Sequence, residues 1–150
     1  MDKKGRYFNE IKNMSFALLS EGKSIRIKAQ GYSMFPAIKP GTVVIIEPLK
    51  VKGPPAPGEI VAIKRNKGIV VHRIVKITEE NGVKKYIARG DSNSTYDPPV
   101  TIDMIPGRVT GAEGYARMPS DFTVKPRYFI NRLRVIMIHI GFRLKRLTGR

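Results

Sequence analysis

Ser33 stands in the stretch Gly31-Tyr32-Ser33-Met34-Phe35-Pro36, a turn-like passage between two β-branched runs. A serine hydroxyl is a weak nucleophile and works only beside a base. The chain has two histidines and no cysteine, so His72 and His139 are the imidazole candidates and a thiolate nucleophile is excluded. His139 lies among arginines that disfavour its protonation, with no carboxylate nearby to orient it. His72 lies in Gly68–Thr78, GIVVHRIVKIT, where alternation puts Val70, His72 and Ile74 on one face of a strand and Val71, Arg73 and Val75 on the other. An imidazole buried there needs a partner, because burying an unpaired polar group is costly. The segment Gly90–Asp97, GDSNSTYD, supplies two carboxylates, Asp91 and Asp97. Either could hold the imidazole in its working tautomer and stabilise the imidazolium.

Each feature also has a plainer reading. A lone histidine in a strand is more often a satisfied structural residue, Gly-x-Ser by itself is a common turn, and Asp and Asn in a loop simply make turns. A lysine base in place of the histidine would have to be Lys64, and it would have to be buried and deprotonated. Around Ser33, Gly31 permits close backbone approach and Pro36 limits the conformations that follow. Gly31, Met34 and Pro36 are therefore the candidate oxyanion and substrate-binding positions, with backbone N–H groups, chiefly that of Ser33, facing the oxyanion.

The elements that must hold these residues are mostly strands. Residues 7–20 place Phe8, Ile11, Phe16 and Leu19 at roughly helical spacing and predict a short amphipathic helix. Strands are expected over 24–29, 42–49, 59–65, 68–78 and 83–89, with a last one around 107–111. The stretch 51–59, VKGPPAPGE, is broken by proline and glycine. Asn66-Lys67-Gly68 reads as a tight hairpin, and Asn81-Gly82 as a type I′ turn. A run of short strands joined by Gly/Pro turns predicts a mostly β fold, a barrel or sandwich, with a short N-terminal helix.

The chain has 150 residues, enough for one globular domain, and 41% of them are apolar, enough for a core. Lys and Arg number 28 against 12 Asp and Glu, a net charge of +16. Half of that excess, +8, falls in residues 117–150, which hold nine basic residues and one acidic. The expected organisation is a single β domain over 1–116, with the helix of about 7–20 at its start, and a basic amphipathic extension over 117–150. Within the extension, 127–147 reads as a basic amphipathic helix broken near Gly141, which either lies on an anionic membrane surface or packs on the β body. No secretory signal is evident: the best early apolar stretch, Met14–Leu19, is interrupted by Ser15. Val135–Phe142 is too short to span a bilayer. The absence of cysteine and the scarcity of histidine argue against a metal site, and no cofactor is called for.

Together the motifs closely resemble the signal peptidase I family, within the wider S24/S26-type group of serine processing peptidases that includes the SOS-type repressors. The resemblance covers about residues 31–111. It rests on the serine box GYSMFPAIKPG, on Gly58-Glu59-Ile60-Val61, on Val71-His72-Arg73-Ile74-Val75, on GDSNSTYD, and on Ile105-Pro106-Gly107-Arg108-Val109, in the family's order. Most bacterial members have a Ser–Lys dyad. The His-Arg-Ile triplet here resembles the endoplasmic-reticulum, archaeal and sporulation-type branch. The resemblance implies Ser33 as nucleophile, His72 as general base, Asp97 as the carboxylate that orients it and Asp91 as a second acidic residue supporting the site, with Asp91 in the orienting role as the alternative. The substrate would be a precursor polypeptide with a leader or signal segment, bound as an extended strand. Two departures stand out. Some members carry a hydroxyl residue two positions before the nucleophile, where this chain has Gly31. Members also normally carry a transmembrane anchor that puts the active site on the export side, and none is evident here. The expectation is therefore a protein in the cytoplasm or peripheral on the cytoplasmic membrane face, attached through residues 127–150. Two other classes compete: a non-catalytic nucleic-acid-binding β domain, motivated by the charge but disfavoured by scattered aromatics, and an inactive peptidase-like membrane scaffold.

Overall fold

Apolar alternation and β-branched runs produce six strands and one helix in the computed structural model, which describes residues 3–66, 68–113 and 136–138. The order is α1 (Lys3–Ser20), β1 (Ile25–Lys28), β2 (Val43–Pro48), β3 (Ile60–Arg65), β4 (Gly68–Glu80), β5 (Val83–Arg89) and β6 (Gly107–Ala112), with short 3₁₀ turns at Leu49–Val51 and Ile102–Met104. All six strands share one antiparallel sheet in the order β1-β2-β6-β3-β4-β5, so the fold is mostly β. The strands form one continuous hydrogen-bonded sheet, in keeping with the mostly β fold that the sequence predicts.

The helix starts earlier than the periodicity predicts, at Lys3 instead of Tyr7. No proline interrupts residues 1–20, so nothing local stops the helix at the first apolar position. It ends in a Schellman motif: Lys23 N–H donates to Leu18 O, Gly22 N–H donates to Leu19 O, and Gly22 takes φ +84°. That cap drives Leu19, 1% exposed, into the core beside Ile25 and Val44.

The core has two parts, and β3 divides them. Ile60 and Ala62 pack with Leu19, Met34, Val44 and Ile46 on one face. Val61 and Ile63 pack with Ile74, Tyr86 and Ile105 on the other. A strand covered on both faces must be apolar at consecutive positions, which is why Ile60–Ile63 does not alternate. The two halves of the sheet meet where β3 pairs with β6 at Val61↔Arg108 and Ala62↔Gly107. Gly107 is required there, since a Cβ would stand 2.5 Å from the Glu47 carbonyl oxygen. At the far end, Asn81 (φ 51°) and Gly82 (φ 74°) form the type I′ turn joining β4 to β5.

Among the described residues no helix is long and apolar enough to cross a membrane. The expected basic helix over 127–147 lies outside the described residues except for Ile136–Ile138, which form a helical turn. His139 also lies outside them.

Candidate active site

Ser33 sits in the long connection between β1 and β2. That loop is closed at its base by two backbone bonds, Ala29 N–H to Thr42 O and Gly41 N–H to Ala29 O, both 2.8 Å. Inside it, Met34, Ala37 and Ile38 are buried and act as anchors. Phe35 N–H donates to Tyr32 O and Ile38 N–H to Met34 O, which wraps the chain around Ser33. The Phe35–Pro36 peptide is cis. Gly31 takes φ +82° with open space around it, so the backbone conformation and not crowding demands glycine. A serine or threonine at that position would be strained, which accounts physically for the missing hydroxyl donor. The N–H groups of Ser33 and Met34 have no backbone acceptor among the described residues, so two backbone donors stand next to the Ser33 side chain.

The loop that follows β5 is sewn onto the serine loop. Ser92 N–H donates to Ser33 O at 2.8 Å, and Ser92 Oγ donates to Phe35 O at 2.6 Å. The contact is close enough to exclude a side chain at Gly90, where a Cβ would lie 2.7 Å from Ser33 O. Neither Gly90 nor Ser92 stands out in the sequence as a site residue. The only signal was their place beside Asp91 in GDSNSTYD.

His72 lies in β4, opposite Val61 of β3, and is 6% exposed. Its partner is Asp97: Nδ1 and Asp97 Oδ2 are 2.6 Å apart. With Asp97 ionised, Nδ1 carries the proton and donates, which leaves the Nε2 lone pair free to accept. Asp97 N–H is tied to Ala88 O at 2.8 Å, so the carboxylate is presented from the end of β5. Asp91 turns the other way. Both its oxygens accept from Arg73, Oδ1 from Nε and Oδ2 from Nη2 at 2.9 Å each. Arg73 Nη1 also donates to Gly58 O at 2.7 Å. Arg73 is 1% exposed, and its side chain occupies the opposite face of β4 from His72. The sequence placed Arg73 on that face but gave no sign that it would be buried. Its signal was a lone arginine in an apolar strand, which needs a carboxylate if that face is covered.

Ser33 and His72 line one cleft of about 460 Å³. Its walls are largely apolar, with Ile27 of β1, Met34 and Ile38 of the serine loop, Val44 of β2, and Ile69 and Val71 of β4. Gly31 and Met34 also border it, whereas Pro36 does not. Ser33 Oγ and His72 Nε2 form no hydrogen bond among the described residues. Lys64 is elsewhere, exposed on β3 with its Nζ 5.1 Å from the centre of the Phe16 ring. Among the described residues no group of three or more His, Cys, Asp or Glu could hold a metal ion.

The sheet around the cleft has two open edges among the described residues. β1 pairs only with β2, and β4 pairs with β5 from Arg73 onward, leaving the outer edge of Gly68–His72 free. Both edges border the cleft, so an extended polypeptide has backbone donors and acceptors on either side of it.

No curated protein is significantly similar to the chain. The Peptidase S24-like family matches it over residues 3–108, from α1 into β6, and that span takes in the serine loop, β4 and the loop carrying both aspartates. A match along most of the β body, in a chain whose Ser33 and His72 line one cleft, identifies the chain as a member of the Peptidase S24-like family.

Proposed function

We propose that this protein is a serine endopeptidase of the signal-peptidase type, removing a leader or signal segment from a precursor polypeptide with Ser33, His72 and Asp97. The observation that carries the reading is the 2.6 Å His72–Asp97 contact on an imidazole that shares its cleft with Ser33. In this mechanism His72 Nε2 takes the Ser33 hydroxyl proton as Oγ attacks the scissile carbonyl. The oxyanion rests on the Ser33 and Met34 N–H groups. The imidazolium, held by Asp97, then protonates the leaving amine, and water enters to hydrolyse the acyl-enzyme with His72 again as base. The substrate lies extended between the free edges of β1 and β4, with apolar side chains in the cleft. Asp91 supports the site indirectly, through Arg73 on the adjacent residue of β4. Attachment to an anionic membrane surface through residues 127–150, on the cytoplasmic face, completes the proposal.

The test is cleavage of a peptide library bearing small residues at candidate sites, by wild type and Ser33→Ala, with products read by mass spectrometry. Cleavage by wild type alone is the expected result. Equal cleavage by Ser33→Ala overturns the reading. The open Ser33–His72 contact favours a second reading, an inactive peptidase-like scaffold. Catalytic hydrogen bonds often tighten only with substrate bound, so a serine-directed phosphonate that labels Ser33 in wild type but not in His72→Ala separates the two.

A further inference from the structure

A cation stands beside the Asp97 carboxylate without belonging to the proposed triad. Arg65 is the last residue of β3, and its Nη2 lies 4.0 Å from Asp97 Oδ2. That is the same oxygen that meets His72 Nδ1 at 2.6 Å. The guanidinium also donates to the Pro98 carbonyl oxygen at 3.4 Å. The Arg65 and Asp97 side chains are 27% and 18% exposed, so water screens the pair only partly. Arg65, Ile63 and Val61 alternate onto the β3 face that pairs across with Gly68, Val70 and His72. Gly68, opposite Arg65, carries no side chain to compete on that rung.

Asp97 needs such a tie. It lies beyond the end of β5, in a segment without regular secondary structure, followed by the exposed Pro98 and Pro99. Its N–H is bonded to Ala88 O, which places the backbone. The bond to His72 sets one distance but leaves the carboxylate free to turn about its own side-chain torsions. A cation within ion-pair distance of Oδ2 that also donates to the Pro98 carbonyl restrains both the carboxylate and the backbone behind it. The geometry points to Arg65 as a positioning residue: it holds the Asp97 carboxylate and the Pro98 peptide and, through them, keeps the His72 proton on Nδ1 and the ring turned toward the cleft. Its consequence for rate rests on the peptidase reading, whereas its consequence for the imidazole does not.

Nitrogen-15 NMR of histidine-labelled full-length protein tests this, with the His72 signals assigned by difference against His72→Gln. At a pH where the imidazole is neutral, wild type is expected to carry the proton on Nδ1. Arg65→Gln is expected to show a mixture of the two tautomers, and Arg65→Lys to keep the wild-type form. With a peptide that wild type cleaves, Arg65→Gln is expected to lose on the order of tenfold in kcat with little change in KM, and Arg65→Lys to recover most of it. Wild-type nitrogen shifts in Arg65→Gln overturn the proposal, whatever happens to the melting temperature, because they reduce Arg65 to a structural tie. Mixed tautomers in Arg65→Gln together with full cleavage by Ser33→Ala would leave the positioning of His72 standing and overturn only the peptidase reading.

Discussion

Asp91 and Asp97 belong to one loop, yet they carry different loads. Asp97 meets an imidazole at the cleft, and Asp91 meets an arginine buried on the other side of β4. Substituting them should therefore separate rate from stability. Asp97→Asn keeps the shape but no longer favours the Nδ1-protonated imidazole, so kcat should fall by as much as about 10⁴-fold with the urea midpoint nearly unchanged. Asp91→Asn leaves the Arg73 guanidinium without its charge partner in a place where the two side chains are 1% and 5% exposed. Breaking a buried pair in this way should cost about 3–5 kcal/mol in urea unfolding. Near-equal effects of the two variants on both observables would contradict this division. The residues alone identified both acids and left their roles open, and the family resemblance pointed to Asp97 as the orienting carboxylate with Asp91 as the alternative. Spacing within a loop does not say which carboxylate turns toward a strand 25 residues away.

At the level of elements, the site is two loops joined at Ser33. Residues 29–42 bring Ser33, the proposed nucleophile, and the segment after β5 brings Asp91 and Asp97 and clamps Ser33 O and Phe35 O through Ser92. Gly90 is the contact point, and adding a methyl group there forces the loops apart because its neighbour is a backbone carbonyl. Gly90→Ala should reduce kcat sharply, with a smaller fall in Tm than in activity. Gly82→Ala is the matching control. It strains a left-handed turn at φ 74°, far along the β4–β5 hairpin, and should cost about 1 kcal/mol of stability. Its kcat should equal that of wild type, and a loss there would mean that the hairpin communicates with the cleft. The strands themselves were legible, because alternation, β-branched runs and Asn-Gly turns are local signals. The seam between the loops was not, because it joins residues far apart in the chain, with Ser92 and Phe35 separated by 57 positions.

At the scale of the whole molecule, charge and chemistry sit in different places. The proposed nucleophile, base and acids all fall within residues 33–97, while residues 117–150 hold half of the +16 net charge. Removing residues 127–150 takes away seven basic residues, each contributing about 1 kcal/mol near an anionic leaflet. The truncated protein should lose binding to anionic liposomes while still cleaving a short soluble peptide. Unfolding on truncation would instead make the segment part of the core. Read alone, the amino-acid sequence determined the family, the mostly β fold with its strands and turns, and which residues are candidates for the proposed chemistry. Residue types, periodicity and motif order are properties of the chain itself. The tertiary structure decided which carboxylate reaches the imidazole, why Arg73 can be buried, and that β1, the serine loop and β4 border one cleft. Those outcomes depend on which faces of the sheet are covered and on how closely two distant loops approach, and no local pattern encodes either.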